Sequence, residues 1–97
     1  MRKGGKRKAE GGKSKTCWVY VLECGDGSYY TGWTNDLAKR IKCHQSGKGG
    51  KYTRSRLPVR LVRKWRAKNR SEAMRKEAKF KSLNRKEKER RLGRGLG

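Results

Sequence analysis

Cys17-Trp18-Val19-Tyr20-Val21-Leu22-Glu23-Cys24-Gly25-Asp26-Gly27-Ser28-Tyr29-Tyr30-Thr31-Gly32-Trp33 is the one stretch of this chain rich in β-branched and aromatic residues and broken by a turn signal. It reads as a β-hairpin. Two runs suited to a pleated, half-buried surface flank Gly25-Asp26-Gly27, whose glycines can supply the positive φ angles of a tight reversal. Side chains alternate along a strand, so Trp18, Tyr20 and Leu22 share one face and Cys17, Val19 and Val21 the other. Register decides which tyrosines meet. A three-residue loop pairs Leu22 with Tyr30 and Tyr20 with Gly32, setting Tyr20 and Tyr30 diagonally on one face about 7–8 Å apart at Cα. A two-residue Asp26-Gly27 loop pairs Tyr20 with Tyr29 instead.

Outside this stretch the chain is overwhelmingly basic. Its 97 residues allow one small domain with a modest core. Thirty Lys and Arg against eight acids give a formal charge of +22, and such self-repulsion calls for a polyanionic partner. Nucleic acid fits. A membrane surface does not, because there is neither an amphipathic helix with a bulky apolar face nor a lipidation signal. Without a signal-peptide core or a long apolar run, a cytoplasmic, nucleic-acid-associated location is expected. Three cysteines suit reduced thiols better than a disulfide framework.

Residues 1–16 hold seven bases, one acid and no large apolar residue beyond Met1, and are expected to be a disordered basic tail. Its role is either non-specific attraction to phosphates or simple solubility. Thr34, Asn35 and Asp36 are helix-starting residues, and a helix is expected to reach about His44 or Ser46. Leu37 and Ile41 form its apolar stripe, flanked by Arg40 and His44 one turn apart. Either these two face the hairpin, or Arg40 is a solvated charge and His44 sits at the helix end. Residues 47–56 read as a glycine-rich basic loop whose backbone amides, with Lys48, Lys51, Arg54 and Arg56, suit a phosphate backbone. The spacing is wrong for a Walker loop.

Pro58 precedes a third strand, Val59 to Trp65, with Val59, Leu61, Arg63 and Trp65 on one mostly apolar face and a basic set on the other. Asn69 and Glu72 open a second helix with a capping box. Glu77 lies between Ala73 and Met74 on the wheel, near Phe80, where an unpaired carboxylate would be costly. A salt bridge to Lys81, protonation, or a bound cation would each relieve it. Asn84 to Arg91 reads as a short charged helical extension before a flexible end, residues 93–97.

Taken together, these segments resemble the GIY-YIG nuclease superfamily, in particular its small stand-alone branch, similar to the catalytic domain of structure-selective endonucleases. Trp18-Val19-Tyr20 stands for the first triplet, without its glycine, and Tyr30-Thr31-Gly32 for the second. Arg40 with His44, the loop Gly47 to Arg54, Leu57-Pro58 and the helix around Glu77 follow in the branch's order, covering a domain over residues 17–92. The resemblance implies an α+β fold, a three-stranded antiparallel sheet flanked by helices in the order β-β-α-β-α with a short C-terminal helical extension. It implies metal-dependent hydrolysis of phosphodiester bonds in structured or branched DNA, in repair or recombination. Tyr20 would be the general base, Tyr30 would position water or phosphate, and Arg40 would stabilise charge on the scissile phosphate. Glu77 would hold one Mg²⁺ or Mn²⁺, and His44 would assist by hydrogen bonding or proton transfer. A tyrosine with an ordinary pKa of about 10 is a poor base, and the surrounding cations are expected to lower it.

The rival reading is a non-catalytic, basic nucleic-acid-binding module, with the same steep salt dependence. A zinc site from Cys17, Cys24, Cys43 and His44 fails on spacing, and no nucleophile-histidine-acid order supports a serine or cysteine hydrolase. A monomer is the default, with room for a protein partner needed for activity.

Overall fold

A computed structural model describes residues 16–93. In chain order the elements are β1 (Cys17–Glu23), β2 (Tyr29–Thr34), α1 (Leu37–Gln45), α2 (Lys51–Arg54), β3 (Arg60–Ala67), α3 (Arg70–Lys81) and α4 (Arg85–Arg91). The strands form one antiparallel sheet in the order β2-β1-β3. This is the expected α+β architecture. Residues 1–15 of the expected basic tail and 94–97 of the expected flexible end lie outside the described residues. Among those described, no helix is long and apolar enough to cross a membrane.

The hairpin closes through three residues. Gly27 N–H donates to the Cys24 carbonyl at 2.9 Å and Cys24 N–H to the Ser28 carbonyl at 2.8 Å, with Gly27 at φ 85°. That is the left-handed conformation such a loop requires of its last residue. Gly25 has a different reason to be glycine. Its φ is not positive; instead a Cβ there would stand 2.7 Å from the Leu57 carbonyl oxygen, and its N–H donates to the Arg56 carbonyl at 2.7 Å. The resulting register sets Tyr20 opposite Gly32 and Leu22 opposite Tyr30.

β1 is central and covered on both faces. On one, Cys17 and Val19 pack with Ala67 and with Ala73 of α3, joined by Trp33 and Trp65. On the other, Tyr20, Leu22 and Cys24 pack with Val59, joined by Tyr30, Leu61 and the α1 residues Leu37 and Ile41. Cys17 and Cys24 therefore lie in clusters on opposite faces.

β3 departs from the expected pattern. It runs Arg60–Ala67 rather than Val59–Trp65, and a bulge breaks its pairing with β1: Leu22 faces Leu61, but Val21 faces Arg63. Val62 is the extra residue, and an extra residue reverses the faces of everything beyond it. Val59 and Leu61 thus join Tyr20, whereas Trp65 and Ala67 join Val19. The single apolar face expected for this strand is split between two cores.

The starts of α1, α3 and α4 are capped by side chains. Asp36 Oδ1 accepts from Lys39 N–H at 3.3 Å, Asn69 Oδ1 from Glu72 N–H at 2.9 Å and Asn84 Oδ1 from Glu87 N–H at 2.9 Å. Glu72 reaches past the capping-box partner and accepts from Lys68 N–H at 2.6 Å. In α3 the buried stripe is Ala73 and Phe80, with Phe80 against Trp65 at 5.4 Å between ring centroids. Met74, expected on that face, is 47 % exposed, because it falls a full 100° step off the stripe. Arg85 of α4 latches the hairpin tip, donating to the Gly27 carbonyl at 3.0 Å with its guanidinium 4.9 Å from the Tyr29 ring.

Candidate active site

Tyr20 sits on the central strand, but its phenol reaches sideways over the edge strand β2. A Cβ on Gly32 would stand 2.6 Å from the Tyr20 hydroxyl, so the glycine opposite Tyr20 is what lets the ring lie flat there. Tyr30 lies beside it with ring centroids 6.4 Å apart. Tyr20 is 2 % exposed.

From α1, His44 drops onto this pair. The Tyr20 hydroxyl is 2.9 Å from His44 Nε2, and His44 Nδ1 is 2.9 Å from Thr53 Oγ1. His44 is 1 % and Thr53 0 % exposed, so a buried hydrogen-bonded chain links Tyr20, His44 and Thr53. The glycine run builds it. Gly47, at φ 85°, ends α1 as its N–H donates to the His44 carbonyl at 3.1 Å and Lys48 N–H to the Cys43 carbonyl at 2.9 Å. Gly49 crosses the imidazole so closely that any Cβ would overlap the ring. Gly50, at φ 146°, then caps α2. The stretch expected to be loop throughout thus contains a short helix, and two residues without an assigned role gain one. Thr53 holds the imidazole, and Tyr52 stacks on Tyr30 at 5.8 Å. Their signal was a Tyr-Thr pair one residue beyond a glycine run.

Electrostatics at this cluster run against the expected lowering of the Tyr20 pKa. Burial pushes the phenol above its ordinary value of 10.0, and Tyr30 adds to the rise; Arg40 opposes it, and Glu77 reinforces it. Loss of hydration outweighs the cations. Burial, helped by Arg40, also lowers the His44 pKa below 6.5, keeping the imidazole neutral at neutral pH.

Of the five side chains singled out for the chemistry, Tyr20, Tyr30 and His44 are in mutual contact, with Tyr30 and His44 rings 5.1 Å apart. Arg40 and Glu77 act on Tyr20 through charge, without a hydrogen bond to it. Arg40 is exposed and lines a cleft of about 310 Å³ with Thr34, Asn35, Asp36, Lys39 and Cys43. Glu77 comes from α3, whose Ala73 packs in the Val19 core, with its side chain 19 % exposed and 3.1 Å from Lys81 Nζ. The ion pair weighed as its ordinary role is formed. Among the described residues no group of three acidic, cysteine or histidine side chains could cage a metal. One carboxylate is nonetheless a sufficient protein share for Mg²⁺, which keeps several waters and takes substrate phosphate oxygens as ligands.

Among the phosphate candidates, Lys48, Lys51 and Arg54 are exposed. Arg56 is occupied differently. It pairs with Asp26 Oδ2 at 3.0 Å, donates to the Tyr52 carbonyl at 3.0 Å and lies 3.9 Å over the Tyr52 ring. It staples α2 to the hairpin tip.

Comparison with known proteins agrees with this architecture. The family model described as the GIY-YIG catalytic domain matches residues 16–91. The chain is 57 % identical to the UPF0213 protein BH0048 of Halalkalibacterium halodurans, over 74 % of this chain and 77 % of that protein. It is 53 % identical to a UPF0213 protein of Bacillus cereus, over 86 % and 85 % respectively. Two solution structures share the fold. One is the BH0048 protein, with a TM-score of 0.54, 52 % identity and coverage of 80 % of this chain and 83 % of that one. The other is protein EF2693 of E. faecalis, with a TM-score of 0.57, 44 % identity and coverage of 81 % and 84 %. The chain belongs to the GIY-YIG catalytic domain family, alongside the small UPF0213 proteins.

Proposed function

We propose that this protein is a metal-dependent endonuclease that hydrolyses phosphodiester bonds in DNA, with nicked, flapped or branched DNA as substrate in repair or recombination. The observation that carries the reading is the buried chain from Tyr20 through His44 to Thr53. A raised pKa makes a standing phenolate unfavourable, so Tyr20 is useful as a base only if its own proton has somewhere to go. Neutral His44 is that acceptor. With Nδ1–H donating to Thr53 Oγ1, Nε2 is free to accept from the Tyr20 hydroxyl. As water attacks phosphorus, its proton passes to the Tyr20 oxygen and the Tyr20 proton to Nε2. The 3′ oxygen leaves with the bonding pair and takes a proton from solvent. Arg40, exposed and within electrostatic reach of Tyr20, suits the charge that builds on the phosphate.

Glu77 would hold the divalent cation once Lys81 turns away. A bound Mg²⁺ or Mn²⁺ would supply Lewis-acid stabilisation of phosphate and leaving oxygens. A monomer acting inside the cell, in the cytoplasm, goes with this reading.

The second reading, a binding module without turnover, is favoured by one observation: Glu77 is already paired with Lys81. A panel of end-labelled branched and linear DNAs, with and without Mg²⁺ or Mn²⁺, separates the two. Tyr20→Phe is expected to lower the single-turnover rate by about 10²–10⁴ with binding retained, the usual worth of a positioned acid–base group. Glu77→Ala is expected to remove the response to metal. Unchanged cleavage in Glu77→Ala would strip that residue of its role, and a wild type that binds every DNA and cuts none leaves the binding module standing.

A further inference from the structure

Trp18 is the one side chain on the Tyr20 face of β1 that belongs to neither core cluster. α1 packs on that face through Leu37 and Ile41, and Trp18 keeps part of its surface exposed. The bulge at Val62 decides what surrounds the indole. Because it reverses the downstream faces of β3, Lys64 stands opposite Tyr20 and Arg66 opposite Trp18, and both are exposed. Lys64 Nζ is 5.4 Å and Arg66 Cζ 5.9 Å from the Trp18 ring centroid. These cations stand outside the stacking distance at which Arg56 caps the Tyr52 ring, 3.9 Å. On the other side Trp18 faces Thr34, which lines the cleft it shares with Lys39 and Arg40. A strip of adjoining residues therefore runs from Arg40 past the buried Thr34 to Trp18, Arg66 and Lys64. Its acid, Asp36, caps α1 by accepting from Lys39 N–H.

We infer that Trp18, flanked by Lys64 and Arg66, is a stacking platform for an unpaired base, on a strand whose backbone runs on to Tyr20. The inference rests on the nuclease reading only in taking that strand to be substrate. An aromatic ring set among cations is the arrangement that holds single-stranded nucleic acid without regard to sequence. A duplex offers its backbone to the cations but hides its base faces. An acidic peptide would satisfy Lys64 and Arg66 and leave the indole without a partner. Two residues along a strand span about 7 Å, so the stacked base is a near neighbour of the phosphate at Tyr20. The substrate class this selects is DNA with an unpaired nucleotide next to the cleaved bond.

Intrinsic fluorescence tests it, because Trp33 and Trp65 pack in the opposite core and supply a steady background. The probes are a short thymidine oligonucleotide and a blunt duplex of equal length. The oligonucleotide should quench the wild type. Trp18→Phe should bind it within about threefold but lose the quench, and Trp18→Ala should bind it about 5- to 150-fold more weakly, the span of a lost base stack. Duplex affinity should change less than twofold in both. Quenching that persists in Trp18→Phe overturns the platform even if Trp18→Ala fails to fold, and so does an equal loss of single-strand and duplex affinity. Passing this test while cutting no DNA with Mg²⁺ or Mn²⁺ defeats the nuclease reading alone. Cleavage by a protein whose Trp18→Ala variant binds both probes like wild type defeats the platform alone.

Discussion

Burial holds Tyr20 and His44 in their neutral forms, and that has a measurable consequence for stability. His44 is the chain's only histidine, with its folded pKa below the ordinary 6.5. Between that lowered value and 6.5 the unfolded chain binds more protons, so stability falls as pH drops through the window. Tyr20 works in the opposite sense. Its pKa is raised above 10.0, so its contribution is complete below that pH and is lost as pH climbs toward the folded value. Cys24, raised from 9.0 by burial, begins the alkaline decline earlier. Thermal melting across pH should show a plateau from about 6.5 to 9. His44→Gln should flatten the fall just below it and Tyr20→Phe the fall above 10. A slope unchanged in His44→Gln would show that the imidazole is not held neutral by the fold. At this scale period and spacing put Tyr20 with Tyr30, and Arg40 with His44, on shared faces, and the family resemblance joined them into one candidate site. Thr53 was not legible, because its partnership with His44 depends on how the glycines fold the chain back over α1.

At the scale of elements, the hairpin was readable because strong β formers flank a turn with Gly27 where a positive φ is needed. β3 was less so. A bulge leaves no mark in composition, and Val62 looks like any other strand residue until its pairing with β1 is known. Alternation alone therefore put Leu61 and Trp65 on one face, whereas they belong to different cores. Deleting Val62 tests the bulge directly. A regular β3 would force either Leu61 or Trp65 and Ala67 onto the wrong side of the sheet. The deletion is expected to abolish cooperative thermal unfolding followed by far-ultraviolet circular dichroism. A variant that melts like wild type would mean the two cores tolerate exchange of their β3 contributions. α2 escaped the sequence reading for a different reason: four residues are too short for any periodicity, and glycines signal loop more loudly than Lys51–Arg54 signals helix.

Across the whole molecule, charge dominates, and the fold sorts it into tasks that composition cannot separate. Lys48, Lys51 and Arg54 stand exposed beside the tyrosine cluster, while Arg56 is tied to Asp26 and Tyr52. Replacing the first three with alanine should make the logarithmic salt dependence of duplex binding shallower by about 0.9 per phosphate contact removed. Arg56→Ala should leave that slope nearly unchanged and lower the melting temperature. The reverse pattern would make Arg56 the phosphate ligand.

The double covering of β1 also sets a hierarchy of motion. Its amides are bonded to strands on both sides and sealed by a core on each face, so they exchange with solvent only when the entire domain opens. α2 is a single turn, held by the Arg56 staple, the Tyr52 stack and the buried Thr53. Tyr20 is therefore anchored to the element expected to exchange most slowly, while Thr53 sits on a four-residue turn. Any local opening of α2 would strip the imidazole of its Nδ1 partner, so the proton chain has one end on the central strand and the other on a single helical turn.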